Sequence, residues 1–166
     1  MTRTFAPWVQ PTASVLAEDR ARVLAFCHTV TSHSWDAASV VAGWANRDVL
    51  AHLAGGNDQL LQLALRAVTH GETPDSALLE PNTDAENARR IEERRTWSIP
   101  RLLIELERDG EEVQDLLARL TDRDDSVSWG TPPRPLGALT LGALLRGVRL
   151  ERHDLLHLAQ LEQHPP

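Results

Sequence analysis

Apolar residues recur at spacings of three and four over four long stretches of this chain, and no comparable run alternates with period two. A period near 3.6 gives each stretch one apolar face, so the pattern predicts amphipathic helices and leaves little room for a sheet. The first stretch follows Pro11, with Thr12 or Ser14 as the expected cap and Val15, Leu16, Val23, Leu24, Phe26 and Cys27 as apolar positions, running to about residue 32. The second runs from about 46 to 69 and is stopped by Gly71 and Pro74. At 1.5 Å per residue it would span roughly 35 Å, and the pair Gly55 and Gly56 inside it predicts close approach by another helix or a ligand.

The third stretch covers about 84 to 120, with Pro100 expected to start a new helix or kink this one. A Pro/Gly/Asp-rich segment, 121 to 138, follows; it is too long for an ordinary connector, and loops of that length often border a site. The last stretch, about 140 to 162, opens at Thr140, which can cap it. It carries the stripe Leu141, Leu144, Leu145, Val148, Leu155 and Ala159, with Leu150 and Leu161 flanking the histidines on another face. Four long helices with polar connections predict an all-α chain, an antiparallel four-helix bundle, in one domain over residues 1–166.

With 166 residues, the fold hides roughly 70% of the unfolded chain's surface and needs no metal or disulfide staple. Any metal is therefore functional first. All 17 basic residues are arginine and tyrosine is absent, which excludes a catalytic lysine, a Schiff base and a tyrosine acid or base. A net charge of −7 argues against nucleic-acid binding. The single Cys27 excludes an internal disulfide and fits a reducing compartment. No apolar run approaches the length of a spanning helix and MTRTFAPWVQ lacks a secretory core, so a cytoplasmic protein with no membrane partner is expected.

His153 and His157 stand four apart on the last helix and project from one face, so they can share a metal ion. Two polar residues near a helix C-terminus, suited to the dipole, explain the same pair without a metal. His52 sits inside the apolar segment DVLAHLAGG, where an unpaired imidazole is costly to bury. It needs a partner: a hydrogen bond to Asp48 or Gln59, or a metal shared with the last helix. Three imidazoles from two helices would leave a coordination position open, the arrangement of a catalytic ion.

The segments GWANRDVLAHLAGGNDQLL (43–61) and RHDLLHLAQLE (152–162) resemble the second-helix and final-helix signatures of the DinB/YfiT-like metalloenzyme superfamily. That superfamily includes the metal-binding domains of mycothiol-dependent maleylpyruvate isomerase and the bacillithiol transferases. The resemblance in helix order extends from about 14 to 162, although only the two short motifs are specific. It implies that His52, His153 and His157 hold a divalent ion, zinc or nickel, at one end of the bundle, and that the protein forms a homodimer. It further implies transfer of a low-molecular-weight thiol, mycothiol or bacillithiol, to a small electrophilic substrate. A metal-dependent hydrolase of the same fold and a non-catalytic metal-binding helical protein are the alternatives.

The sequence departs from the family pattern at Ala45, where Ser or Thr is common; Asn46 is expected to cap instead, with Asp48 near the positive helix end. The chain stops four residues after Glu162, leaving no place for the extra C-terminal domain of the maleylpyruvate isomerases, so that specific activity is not expected. Arg149, one turn before His153, can meet an anionic substrate group or be solvated, and Trp44 and Trp129 can wall a pocket or pack in the core or at its rim. Cys27 reads as a small buried hydrophobe; His28, His33, His70 and His164 read as surface residues. No residue is assigned as a general base.

Overall fold

The computed structural model describes residues 3–55, 59–71, 84–127 and 140–163. These residues form seven α-helices and two short 3-10 turns: α1 (Gln10–Cys27), a turn at Ser34–Asp36, α2 (Asn46–Ala54), α3 (Gln59–His70), α4 (Asp84–Arg94), α5 (Ile99–Leu117), a turn at Asp124–Ser126, α6 (Leu141–Glu151) and α7 (His153–Glu162). Among the described residues the only extended pairing is one isolated bridge, Ala38 to Ala45. The chain is all-α, as its periodicity predicts.

The long predicted stretches are interrupted at Gly55, ahead of Pro100 and at Arg152. Helix α2 ends at Ala54 with Gly55 as its C-cap, and α3 begins at Gln59; Gly56 and Asp58 lie outside the described residues. Gly55 is where α4 comes close, because a Cβ there would stand 3.5 Å from Arg90 Cβ and 3.1 Å from the Ala51 carbonyl oxygen. Pro100 starts a new helix: it lies in the first turn of α5, where a missing N–H costs nothing, behind the N-cap Ser98. The last stretch breaks at Arg152, whose backbone is left-handed (φ 47°, ψ 50°). As a result α7 buries Asp154, Leu158 and Leu161, one position before the continuation of the predicted stripe, and leaves Ala159 exposed.

Helix α1 starts ahead of Pro11, with Val9 as N-cap, so neither Thr12 nor Ser14 caps it. The Thr12 hydroxyl is buried and donates to the Leu145 carbonyl (3.2 Å), tying α1 to α6. The helix closes at Cys27, short of residue 32, where the Thr29 hydroxyl donates to the Phe26 carbonyl at 2.7 Å and competes with continued helix. Asn46 is likewise inside α2 instead of capping it: its Nδ2 donates to the Ser34 carbonyl (2.9 Å), while Asp48 accepts from the Ala45 N–H (2.8 Å) and closes the helix end. Thr140 caps α6 as expected, accepting from the Ala143 N–H at 3.2 Å. Of the long connector, Thr121–Val127 is described and Trp129 lies outside the described residues.

Helix α1 packs against α5 on one side and against α6 and α7 on the other; α2 and α3 also pack on α5, with α2 reaching α7 and α3 reaching α6. Two apolar cores result. One gathers Val9, Ala13, Leu65, Leu117, Leu141 and Leu145; the other gathers Val23, Trp35, Leu50, Leu102, Leu106 and Leu158. Between them lies a polar level built of charged pairs. Asp19, 1% exposed, receives Arg152 through Nε (2.9 Å) and Nη2. The neighbouring Arg20 donates to both carboxylate oxygens of Asp154, from Nε at 2.6 Å and Nη2 at 3.3 Å, and to the Leu106 carbonyl from Nη1 at 2.6 Å.

Candidate metal centre

His52 lies on α2, among the buried residues of the second core, and is 3% exposed. His153 opens α7 and His157 follows one turn later, both half-buried. The packing of α2 on α7 brings the three rings together: centroids are 5.7 Å apart for His52 and His153, 4.7 Å for His52 and His157, and 4.3 Å for His153 and His157. One nitrogen from each ring falls within 4.8 Å of the other two.

The hydrogen bonds fix much of the tautomer pattern. His157 Nδ1 lies 2.7 Å from Gln160 Oε1, which only accepts, so Nδ1 carries the proton and the neutral ring keeps its lone pair on Nε2. That Nε2 faces His153 Nε2 at 3.0 Å. Holding the far nitrogen of an imidazole by a polar side chain is how proteins orient histidine toward a metal. His52 Nδ1 is buried with no hydrogen-bond partner among the described residues. Asp48 does not serve it, since its carboxylate accepts from the start of the helix, and the Gln59 side chain lies outside the described residues.

Electrostatics keeps these rings neutral. Burial, followed by the charges of His157, His153 and Arg90, pushes His52 down to about 3. His153 falls to about 4, first through burial and then through His157. His157 is lowered by burial, against the opposing pull of Gln160 and Asp154. Three neutral imidazoles packed at mutual tilts of 45°, 55° and 65°, with one buried nitrogen unpaired, form a donor set that suits a borderline divalent ion. Two nitrogens on one tetrahedral zinc stand about 3.3 Å apart, so a group already this close fits an ion with small side-chain adjustments.

Of the remaining expected site residues, Trp44 lies against the centre, its ring 5.3 Å from that of His52 and tilted by 53°. The short turn before α2 holds it there through Trp44 N–H to the Val41 carbonyl (3.0 Å) and Ser39 N–H to the Trp44 carbonyl (2.8 Å). Arg149 is half-buried in the last turn of α6, and its side chain makes no ion pair or hydrogen bond among the described residues. Cys27 is buried, and desolvation raises its thiol to about 12, which makes it inert. His28, His33 and His70 are exposed; His164 lies outside the described residues.

Three participants escaped the sequence reading. Gln160 stands three residues after His157, a spacing that marks a shared helix face. Arg90 on α4, whose charged run reads as a solvated face, contributes a positive charge that helps keep His52 neutral. Asp19 occupies an inward position of α1 between Thr12 and Val23, where a carboxylate on an apolar face signals a buried partner.

A family model described as mycothiol maleylpyruvate isomerase N-terminal domain matches residues 16–155, a span that contains His52 and His153 and stops just before His157. Comparison with curated proteins and with solved structures gave no match.

Proposed function

Because the chain belongs to the mycothiol maleylpyruvate isomerase N-terminal domain family, within the DinB/YfiT-like superfamily, we propose that it is a metal-dependent enzyme transferring a low-molecular-weight thiol to small electrophiles. The observation that carries this reading is the convergence of His52, His153 and His157, one nitrogen each, within 4.8 Å. In this reading the three imidazoles hold zinc or nickel, and neutral nitrogen donors suit both. Such an ion, when bound, deprotonates a coordinated thiol or lowers the pKa of coordinated water toward neutrality.

The protein's own residues contribute orientation and dryness. Gln160 holds the His157 Nδ1 proton, which keeps the Nε2 lone pair free toward the cluster. Burial keeps all three rings neutral at neutral pH, so each retains one lone-pair nitrogen that an ion can use. Trp44 covers the His52 ring and excludes water from that side. Arg149 is the proposed pocket-wall residue that faces an anionic group of thiol or substrate; Trp129, expected beside it, lies outside the described residues. Four columns, α1, α2 with α3, α5, and α6 with α7, compose the proposed antiparallel four-helix bundle, supported by the packing of each on its two neighbours. The reading also includes a homodimer and a cytoplasmic location, for which mycothiol or bacillithiol would be the thiol.

The test uses untagged protein stripped by chelator and reloaded with zinc or nickel, incubated with mycothiol or bacillithiol and an activated aryl chloride. Thioether formation should depend on the metal and vanish in His52→Ala. A rate equal to the uncatalysed one with either thiol and either metal overturns the transferase reading, and ester cleavage by the metal-loaded protein without thiol would assign it to hydrolysis instead.

A further inference from the structure

The geometry points to Asp19 and Arg20 of α1 as positioning residues for the histidine cluster, acting through the two residues that flank His153. This inference rests on the metal-centre reading above. A left-handed backbone is unfavourable for any residue bearing a Cβ, and Arg152 is the only non-glycine residue with positive φ among the described residues. Arginine has no short polar side chain to stabilise that conformation locally, so something outside α6 and α7 must hold it. Asp19 does so: its carboxylate, 1% exposed on α1, takes both Nε and Nη2 of Arg152 in a two-point grip.

Two residues later the same dipeptide acts again. Arg20 grips both oxygens of Asp154 and the Leu106 carbonyl, so the start of α7 is fixed to α1 and α5 together. Its side chain crosses α5 over Gly110, where a Cβ would stand 3.2 Å from Arg20 Cγ. His153 thus sits between two residues pinned from one helix. The break matters to the rings because it resets the phase of the last helix. Continued without interruption, the inward face would run through Leu155 and Ala159, whereas α7 buries Asp154, Leu158 and Leu161. One position on a helix is a turn of about 100°, enough to swing His153 and His157 away from His52.

The test measures zinc affinity of purified, untagged protein by competition with a chromophoric chelator, alongside the thermal midpoint of the metal-free form. Asp19→Asn with Arg152→Ala removes the grip without leaving a buried charge, and should weaken zinc by about 10- to 100-fold, as loss of groups that orient metal ligands does. Asp19→Asn with Arg152→Gly should restore affinity to within about threefold of wild type, because glycine adopts the left-handed conformation freely. Leu65→Ala, in the other core, should lower the thermal midpoint and leave affinity unchanged.

Arg152→Lys keeps a charge for Asp19 but lacks the two-point fork, so it leaves no buried carboxylate unpaired and should lose about tenfold in affinity. Wild-type affinity in Arg152→Lys, or a glycine variant that binds no better than the alanine variant, overturns the inference. Wild-type protein that binds no zinc overturns the metal centre itself, and this inference with it.

Discussion

A free imidazole holds its proton near pH 6.5, while burial against two others lowers that value to about 3 at His52 and about 4 at His153. The folded, metal-free protein therefore binds fewer protons than the unfolded chain between about pH 4 and 6.5, and its stability rises with pH across that window. Below about pH 6.5 the unfolded state gains protons that the fold refuses, so the thermal midpoint should drop steadily on acidification. Differential scanning calorimetry of metal-free protein checks this, with His52→Leu expected to flatten the profile; an identical profile in both contradicts the assigned cause. At this scale the sequence is most informative about the three histidines. An i, i+4 pair and a lone imidazole in an apolar run are local signals, whereas the roles of Gln160, Arg90 and Asp19 depend on which helices meet.

Helix existence follows from local periodicity, but helix continuity does not. The α2–α3 interruption is hinted at by the Gly55 and Gly56 pair, and the α4–α5 boundary by Ser98 and Pro100. The break at Arg152 has no local signature, because what imposes it is a carboxylate on α1, distant in sequence. For the same reason the predicted stripe holds only in part beyond Val148: Leu155 packs half-buried on the second core while Ala159 is exposed, because the side chains of α7 follow a reset phase. The caps divide in the same way. Thr140 faces only its own first turn and caps as expected, while Asn46 is drawn to the Ser34 carbonyl. Replacing Thr140 with alanine should cost about 1 kcal/mol in chemical denaturation, the usual value of a side-chain N-cap, with unchanged metal content. No measurable loss would mean that the Ala143 N–H is satisfied elsewhere.

At the scale of the whole molecule, two apolar cores are stacked with a level of charged pairs between them, and the histidines belong to the second core. Gly110 and the break at Arg152 lie with the Asp19–Arg20 pair, so that level also fixes the start of α7. No helix among the described residues is long and apolar enough to cross a membrane. A net charge of −7 makes the surface repel polyanions, in keeping with the proposed small-molecule reaction. That ion is the central claim, and metal content tests it most directly. Untagged protein analysed by inductively coupled plasma mass spectrometry should carry about one zinc or nickel per chain. His52→Ala, purified in parallel, should carry a small fraction of that. Equal, stoichiometric metal in both proteins would contradict a three-histidine centre.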